Sequence, residues 1–268
     1  MLIAAMQAEA VVLDYESNLK TVDEAAQKAA DQGATLLLTP ELFIVGYAPD
    51  ALKKSFDPAV LPELRSRLAK IAQQRGIALA YSMPDAAEGQ WKITSTFIDQ
   101  SGAELSHYEK VHLFGDEEQQ VFTPGVNAPA VFDYQGMKLG MAICFDVEYP
   151  ELVREAARRG VEVLLIPTAV GKGYEVVSTA LVPTRAMESQ LYIAYANHVG
   201  TENGFQLSGT SVIAAPDGAI LAQGGTGAEV IFASIEREYL NKVREEVPYL
   251  REAKTDLYAQ WAAQRARN

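Results

Sequence analysis

The same short pattern occurs twice in the chain. In Ala29-Ala30-Asp31-Gln32-Gly33-Ala34-Thr35-Leu36-Leu37-Leu38-Thr39-Pro40 and in Ala156-Ala157-Arg158-Arg159-Gly160-Val161-Glu162-Val163-Leu164-Leu165-Ile166-Pro167, a helix-like stretch stops at glycine, an unbroken apolar run follows, and proline ends the run. An apolar run without polar alternation reads as a strand buried on both faces. Such a strand needs layers on both sides, which points the chain to a layered α/β architecture. Any two βα units look alike in this way, so the echo is compatible with a duplication without requiring one.

The rest of the chain follows the same alternation. Leu2 to Met6 reads as a first strand, and the spacing of Leu19, Val22, Ala26, Ala29 and Ala30 predicts a helix ending at Gly33. Leu61, Leu64, Leu68 and Ile71 predict a second helix, stopped by Gly76 and followed by a strand over Ile77 to Tyr81. Further strands are expected at Phe97-Ile98, Ala130 to Phe132, Leu139 to Ile143, Tyr192 to Ala196, Ser211 to Ala214 and Val230 to Ala233. Ser101-Gly102, Gln135-Gly136 and Pro216-Asp217-Gly218 mark turns. No linker or charge block divides the 268 residues, so 1–268 reads as a single domain. The segment 236–268 reads as a C-terminal tail, and its Tyr249, Tyr258 and Trp261 predict packing at a subunit interface.

Charge and cysteine content narrow the function. A net charge of −12 and a pI near 4.8 repel phosphate backbones, so no nucleic-acid partner is expected. Arg154, Arg158 and Arg159 have the spacing of an ordinary solvated helix face. No apolar run reaches the length of a membrane span, and the N-terminus lacks the pattern of a signal peptide. The expectation is a soluble, cytoplasmic protein with no membrane partner. With Cys144 the single cysteine, an intrachain disulfide is impossible and no metal site is expected.

Three segments carry candidate chemistry. Cys144 lies between the strand Leu139 to Ile143 and a helix predicted from Pro150 to Arg159. A strand–turn–helix junction presents a side chain at the sheet edge, where a helix N-terminus is expected to lower a thiol pKa. Glu41 follows Pro40 at the end of another strand, among apolar neighbours that would raise a carboxyl pKa and suit it to accept a thiol proton. Lys110, in Tyr108-Glu109-Lys110-Val111-His112-Leu113-Phe114, could stabilise an oxyanion. Taken singly, these residues also fit a buried structural thiol, a solvated loop glutamate and a strand-end lysine paired with Glu109.

Taken together, Pro40-Glu41-Leu42-Phe43, Lys110-Val111-His112-Leu113-Phe114 and Cys144-Phe145-Asp146-Val147-Glu148-Tyr149-Pro150-Glu151 resemble the Glu, Lys and Cys blocks of the nitrilase, or carbon–nitrogen hydrolase, superfamily. The resemblance extends through Arg185-Ala186-Met187-Glu188, Tyr195-Ala196-Asn197 and Asp256-Leu257-Tyr258. It implies a four-layer αββα sandwich and assembly into a homodimer or larger homo-oligomer. It also implies Glu41 as general base and acid, Lys110 and the Phe145 N–H as oxyanion stabilisers, and Cys144 as nucleophile. Glu118 falls at the family's second glutamate, in preference to Glu117. No cofactor is implied. Ser189, where many relatives have Asn, and Trp91-Lys92-Ile93-Thr94, where many have Tyr-Asn, depart from the pattern.

Cys144-Phe145-Asp146 is more similar to the amidase form of the nucleophile block than to the Cys-Trp-Glu of nitrilases. The reading is therefore an amidase acting on a small aliphatic carboxamide through a thioester. Tyr47, Phe145, Thr168 and Ala169 are candidate substrate contacts at strand ends. A relative acting on N-carbamoyl compounds or ω-amides is the alternative; its substrate carboxylate would call for a cation such as Lys172 or Arg185. A non-enzymatic nucleotide-binding module would rest on Gly171-Lys172-Gly173 or Gly224-Gly225-Thr226-Gly227, neither of which completes a phosphate loop.

Overall fold

The computed structural model describes residues 1–87 and 89–265. Its core is a pair of six-stranded sheets. The first contains β1 (Leu2–Gln7), β2 (Leu36–Leu38), β3 (Ala78–Ala87), β4 (Gln90–Ile98), β5 (Glu104–Glu109) and β14 (Glu229–Ser234), in the order β14-β1-β2-β3-β4-β5. The second contains β6 (Phe132–Tyr134), β7 (Met137–Met141), β8 (Val163–Pro167), β9 (Tyr192–Ala196), β12 (Val212–Ala214) and β13 (Ile220–Gln223), in the order β13-β12-β9-β8-β7-β6. A separate hairpin joins β10 (Val199–Glu202) to β11 (Phe205–Ser208).

In each sheet the two parallel pairings lie together and the antiparallel ones flank them. β1 and β3 pair parallel to β2, as β7 and β9 do to β8. β2 and β8 are wholly buried because the sheets pack face to face and helices cover their outer faces. Helices α1 (Tyr15–Asp31) and α3 (Leu61–Arg75) cover the first sheet; α5 (Pro150–Arg158) and α6 (Val182–Ser189) cover the second. The result is the expected four-layer αββα sandwich.

Local sequence accounts for the boundaries. The Asp14 carboxylate accepts from Ser17 N–H to cap α1, and Gly76, at φ +63°, ends α3 in the left-handed conformation. Shorter helices α2 (Pro49–Ser55) and α4 (Gly115–Val121) lie beside each other at the sheet edge. Each is only seven residues long and has no side-chain N-cap hydrogen bond, so neither carries a periodicity that marks it in the sequence.

Within the tail, α7 (Arg237–Glu246) is bound to its own chain. Its Leu240 is buried, and Gln190 donates to the carbonyls of Val243 and Val247. α8 (Tyr249–Glu252) and α9 (Thr255–Arg265) instead leave Tyr249, Tyr258 and Trp261 exposed. The last residues of the tail, 266–268, lie outside the described residues. No helix among the described residues is long and apolar enough to cross a membrane.

Candidate active site

Glu41, Lys110 and Cys144 emerge from three strand ends and meet in the interior. Glu41 and Glu118 are fully buried, Lys110 is 1% exposed and Cys144 6%. Lys110 Nζ donates to Glu41 Oε1 at 2.7 Å and to both oxygens of Glu118 at 2.8 Å. Glu109, the neighbour that offered Lys110 a solvated partner, points the other way and pairs with Lys92 at 2.6 Å. Alternation along β5 thus sends one charge out and one in.

Glu118 lies on α4, whose start is fixed when Phe114 N–H donates to Glu118 Oε2 at 2.8 Å. Tyr47 O–H donates to its other oxygen at 2.7 Å, so the carboxylate that holds Lys110 is itself held from two sides. Glu117 is exposed and lines the adjoining cleft.

Cys144 adopts φ +46°, a left-handed conformation that costs a non-glycine residue about 1–3 kcal/mol. It opens a five-residue 3₁₀ turn, Cys144–Glu148, with α5 beginning only at Pro150. Asp146 holds the turn in place. Its buried carboxylate accepts from Ile143 N–H at 3.1 Å, Tyr108 O–H at 2.9 Å and His112 N–H at 2.9 Å, and lies 2.9 Å from His112 Nδ1. Tyr108 and His112 bracket Lys110, so one carboxylate ties the lysine segment to the cysteine segment. At the far end of the turn, Arg185 donates to the carbonyls of Val147 at 3.0 Å and Glu148 at 2.9 Å.

Burial sets the electrostatics. It raises the Glu41 carboxyl to about 7, against the opposing pull of Lys110. It works against the Lys110 ammonium too, but Glu41 and Glu118 more than offset it and hold the lysine firmly charged. The thiol is pushed up, first by burial and then by the Glu41 carboxylate, with Lys110 and the backbone of Ala169 acting the other way. A thiol lowered by a helix N-terminus is therefore not what the fold provides. The long helix starts six residues later, and desolvation dominates at the sulfur. Such a thiol needs a base. Glu41 Oε1 is taken by Lys110, whereas Oε2 is buried with no hydrogen-bond partner, and the Cys144 thiol is near enough to act on the carboxylate.

The Carbon-nitrogen hydrolase family model matches residues 2–245. The chain belongs to that family. The hydrolase is similar to a Pseudomonas protegens protein described as "Hydrolase in pqqF 5'region", at 36% identity over 96% of this chain and 90% of the relative. It is also similar to omega-amidase NIT2 of Xenopus tropicalis, at 28% identity over 90% and 91%. The crystal structure of an amidase from Nesterenkonia sp. superposes with a TM-score of 0.91 at 39% identity, covering 97% of this chain and 96% of that one. A cysteine-to-alanine variant of the Nesterenkonia amidase holds butyramide, and another variant carries the acetamide moiety of fluoroacetamide covalently at its active-site cysteine.

The remaining expected contacts of this hydrolase are distributed around Cys144. Ala169 lies against the sulfur through its backbone. Thr168 donates its hydroxyl to Tyr195 Oη at 2.8 Å and its carbonyl accepts from Glu41 N–H at 3.3 Å. Phe145 is half-buried, edge-on to Phe114 and Tyr149. Tyr47 opens onto a cleft of about 510 Å³ that Phe114, Asp116, Glu117, Glu202 and Phe205 also line. The two cations proposed for a substrate carboxylate are elsewhere. Arg185 is committed to the Cys144 turn and to Glu188 at 2.9 Å, and Lys172 lines a separate groove with Glu175. Among the described residues, no group of three or more His, Cys, Asp or Glu is placed to hold a metal ion.

Sequence reading missed the Asp146 hub and a buried pair, His198 and Glu202, behind Glu41. Asp146 stood inside the quoted Cys144 block. His198 directly follows the quoted Tyr195-Ala196-Asn197, so a polar residue at a buried strand end was the available signal.

Proposed function

We propose that this hydrolase is an amidase for short, uncharged aliphatic carboxamides, with Cys144 as nucleophile and Glu41 as proton carrier. The observation that carries the reading is the division of labour on Glu41: Lys110 occupies one oxygen, and the unpartnered second oxygen serves the thiol.

The reaction follows from that geometry. Glu41 takes the thiol proton as sulfur bonds to the carbonyl carbon, and the oxyanion forms beside the Lys110 ammonium and the Phe145 N–H. As the C–N bond breaks, Glu41 gives the proton to the departing ammonia, leaving a thioester on Cys144. Glu41 then takes a proton from water as its oxygen attacks. The C–S bond breaks, and the proton returns to sulfur as the acid leaves. The charge of Lys110 is steady throughout, because two carboxylates hold it. Tyr47 and Glu118 keep it in place, while Thr168, Ala169 and Phe145 border the substrate.

The small size of the substrate is supported by the buried thiol and by the butyramide seen in the Nesterenkonia amidase. Its lack of charge is supported by the cleft, which has the exposed Asp116 and Glu117 but no lysine or arginine on its wall. A carboxylate-bearing ω-amide or N-carbamoyl substrate would enter against that charge. Ammonia release from butyramide, from its ω-carboxylated counterpart, from N-carbamoyl amino acids and from butyronitrile tests this, with Cys144→Ala as control. Release from butyramide that disappears in the control is expected. Release mainly from the carboxylated substrates would overturn the substrate class.

We also infer that the tail meets a second copy through Tyr249, Tyr258 and Trp261, all exposed on α8 and α9, the two tyrosines beside Pro150 and Arg154. Light scattering should give a dimer or larger for the intact chain and a smaller species for Trp261→Asp. A monomer in both cases would overturn this.

A further inference from the structure

His198 and Glu202 lie directly behind Glu41, both shut off from solvent at 0% and 1% exposure. His198 Nδ1 is 2.6 Å from Glu202 Oε1, and His198 Nε2 is 2.6 Å from the Glu41 carbonyl oxygen. The Glu41 carbonyl only accepts, so Nε2 carries a hydrogen; opposite an ionised Glu202, Nδ1 carries one too, and the ring is an imidazolium. Glu202 Oε1 also accepts from Ala10 N–H at 3.1 Å and Oε2 from Tyr47 N–H at 2.7 Å, hydrogen bonds that stabilise its ionised form. Burial acts against both charges. The Glu202 carboxylate and the Glu41 carbonyl nevertheless hold His198 above its ordinary pKa, and His198 with the two amides holds Glu202 below its own.

The pair grips both ends of one loop: His198 takes the carbonyl of Glu41, and Glu202 takes the N–H of Tyr47. That loop does not rest in a relaxed conformation. Leu42 is at φ +53°, and Gly46 is at φ +81° where an added Cβ would lie 2.7 Å from Val12 Cα. The Phe43 ring packs 5.5 Å from the imidazole. The loop carries Glu41 at one end and Tyr47, the donor to Glu118, at the other.

We infer that His198, held as an imidazolium by Glu202, is a positioning residue that fixes the Glu41 backbone and so aims the free carboxylate oxygen at Cys144. The inference rests on the reading of Glu41 as the proton carrier.

Two substitutions separate positioning from mere ion pairing, because Asn keeps a polar group where Nδ1 stands and Gln keeps one where Nε2 stands. His198→Asn retains the contact to Glu202 and loses the one to Glu41; His198→Gln does the reverse. Positioning predicts that His198→Asn loses kcat by roughly ten- to a hundredfold, with KM within about twofold. Alkylation of Cys144 by iodoacetamide should slow in parallel, and His198→Gln should lose clearly less of both. Equal kcat in the two folded variants, or a change confined to KM, would overturn the inference. If His198→Asn does not fold, Glu202→Gln serves in its place: a drop in kcat and in alkylation at constant KM is expected, and wild-type values would overturn the inference. Glu41→Gln run alongside separates the two readings. An active Glu41→Gln would remove the base assignment itself, whereas an inactive one beside wild-type His198 variants would remove only the positioning role.

Discussion

Strands β2 and β8 hold the same place in their sheets, and their surroundings are wired alike. Ala34 N–H donates to Ala29 O at 2.9 Å, as Val161 N–H donates to Ala156 O at 3.1 Å. Thr35 N–H reaches Leu2 O at 2.9 Å, as Glu162 N–H reaches Lys138 O at 2.7 Å. Ala78 N–H reaches Thr35 O at 3.1 Å, as Tyr192 N–H reaches Glu162 O at 2.9 Å. Past the prolines the halves part: the first places Glu41 where the second places Thr168, and the two meet through Glu41 N–H and Thr168 O at 3.3 Å. At the end of β1 stands Ala8, in the place where β7 leads to Cys144. The sandwich is held by backbone ladders and buried apolar strands, which leave the residues just beyond the strand ends free to differ. Acid and ammonium come from one half, and the thiol from the other.

The comparison breaks most visibly if the chemistry can be removed from either half without loss. Cys144→Ala and Glu41→Gln should each lower kcat/KM on the order of 10⁴-fold, with circular dichroism unchanged. Near-normal turnover from either folded variant would mean that the strand ends were misassigned. Lys110→Gln should cost kcat on the order of 10²–10³-fold. It should also cost about 3–5 kcal/mol in denaturant unfolding, because Glu41 and Glu118 would be left buried without their cation. A variant as stable as the parent would show that the two carboxylates need no such bridge.

A subtler effect is the acid limb of the rate profile. Glu41 must be ionised to take the thiol proton, so kcat/KM should fall as the pH drops below about 7 rather than near the ordinary 4.5. Stability should move oppositely through this group. A raised carboxyl pKa favours the protonated folded state, so its contribution is full below 4.5 and is lost as the pH rises through about 7. An acid limb near 4.5 would reject the buried carboxyl as the base. The smallest effect is expected at Thr168→Ala, which removes a hydroxyl hydrogen bond to Tyr195 worth about 1 kcal/mol. It should lower kcat/KM less than about tenfold. A loss as large as that of Glu41→Gln would mean that both halves supply reacting groups at this position.

Much of this was legible beforehand. The unbroken apolar runs at β2 and β8, the glycine stops and the proline ends mark the layers, because buried strands and helix ends are local in sequence. The Glu41, Lys110 and Cys144 blocks each stand at or beside such an end. The short α2 and α4 were not legible, since seven-residue helices carry too little periodicity to show. Nor was the β10–β11 hairpin, which contributes Glu202.

Sequence alone therefore determined a layered α/β chain and the strand ends that approach the site, because apolar periodicity and turn residues act over a few positions. The αββα sandwich and the family followed from the resemblance of the Glu41, Lys110 and Cys144 blocks. Tertiary structure decided the rest. It turned Lys110 inward and gave Glu109 to Lys92. It buried Glu118 against Lys110, raised the thiol instead of lowering it, and set His198 and Glu202 behind Glu41. Each of these depends on burial and on a partner distant in the chain: desolvation and charge pairing act through space, and only the packed fold brings those groups within hydrogen-bonding distance.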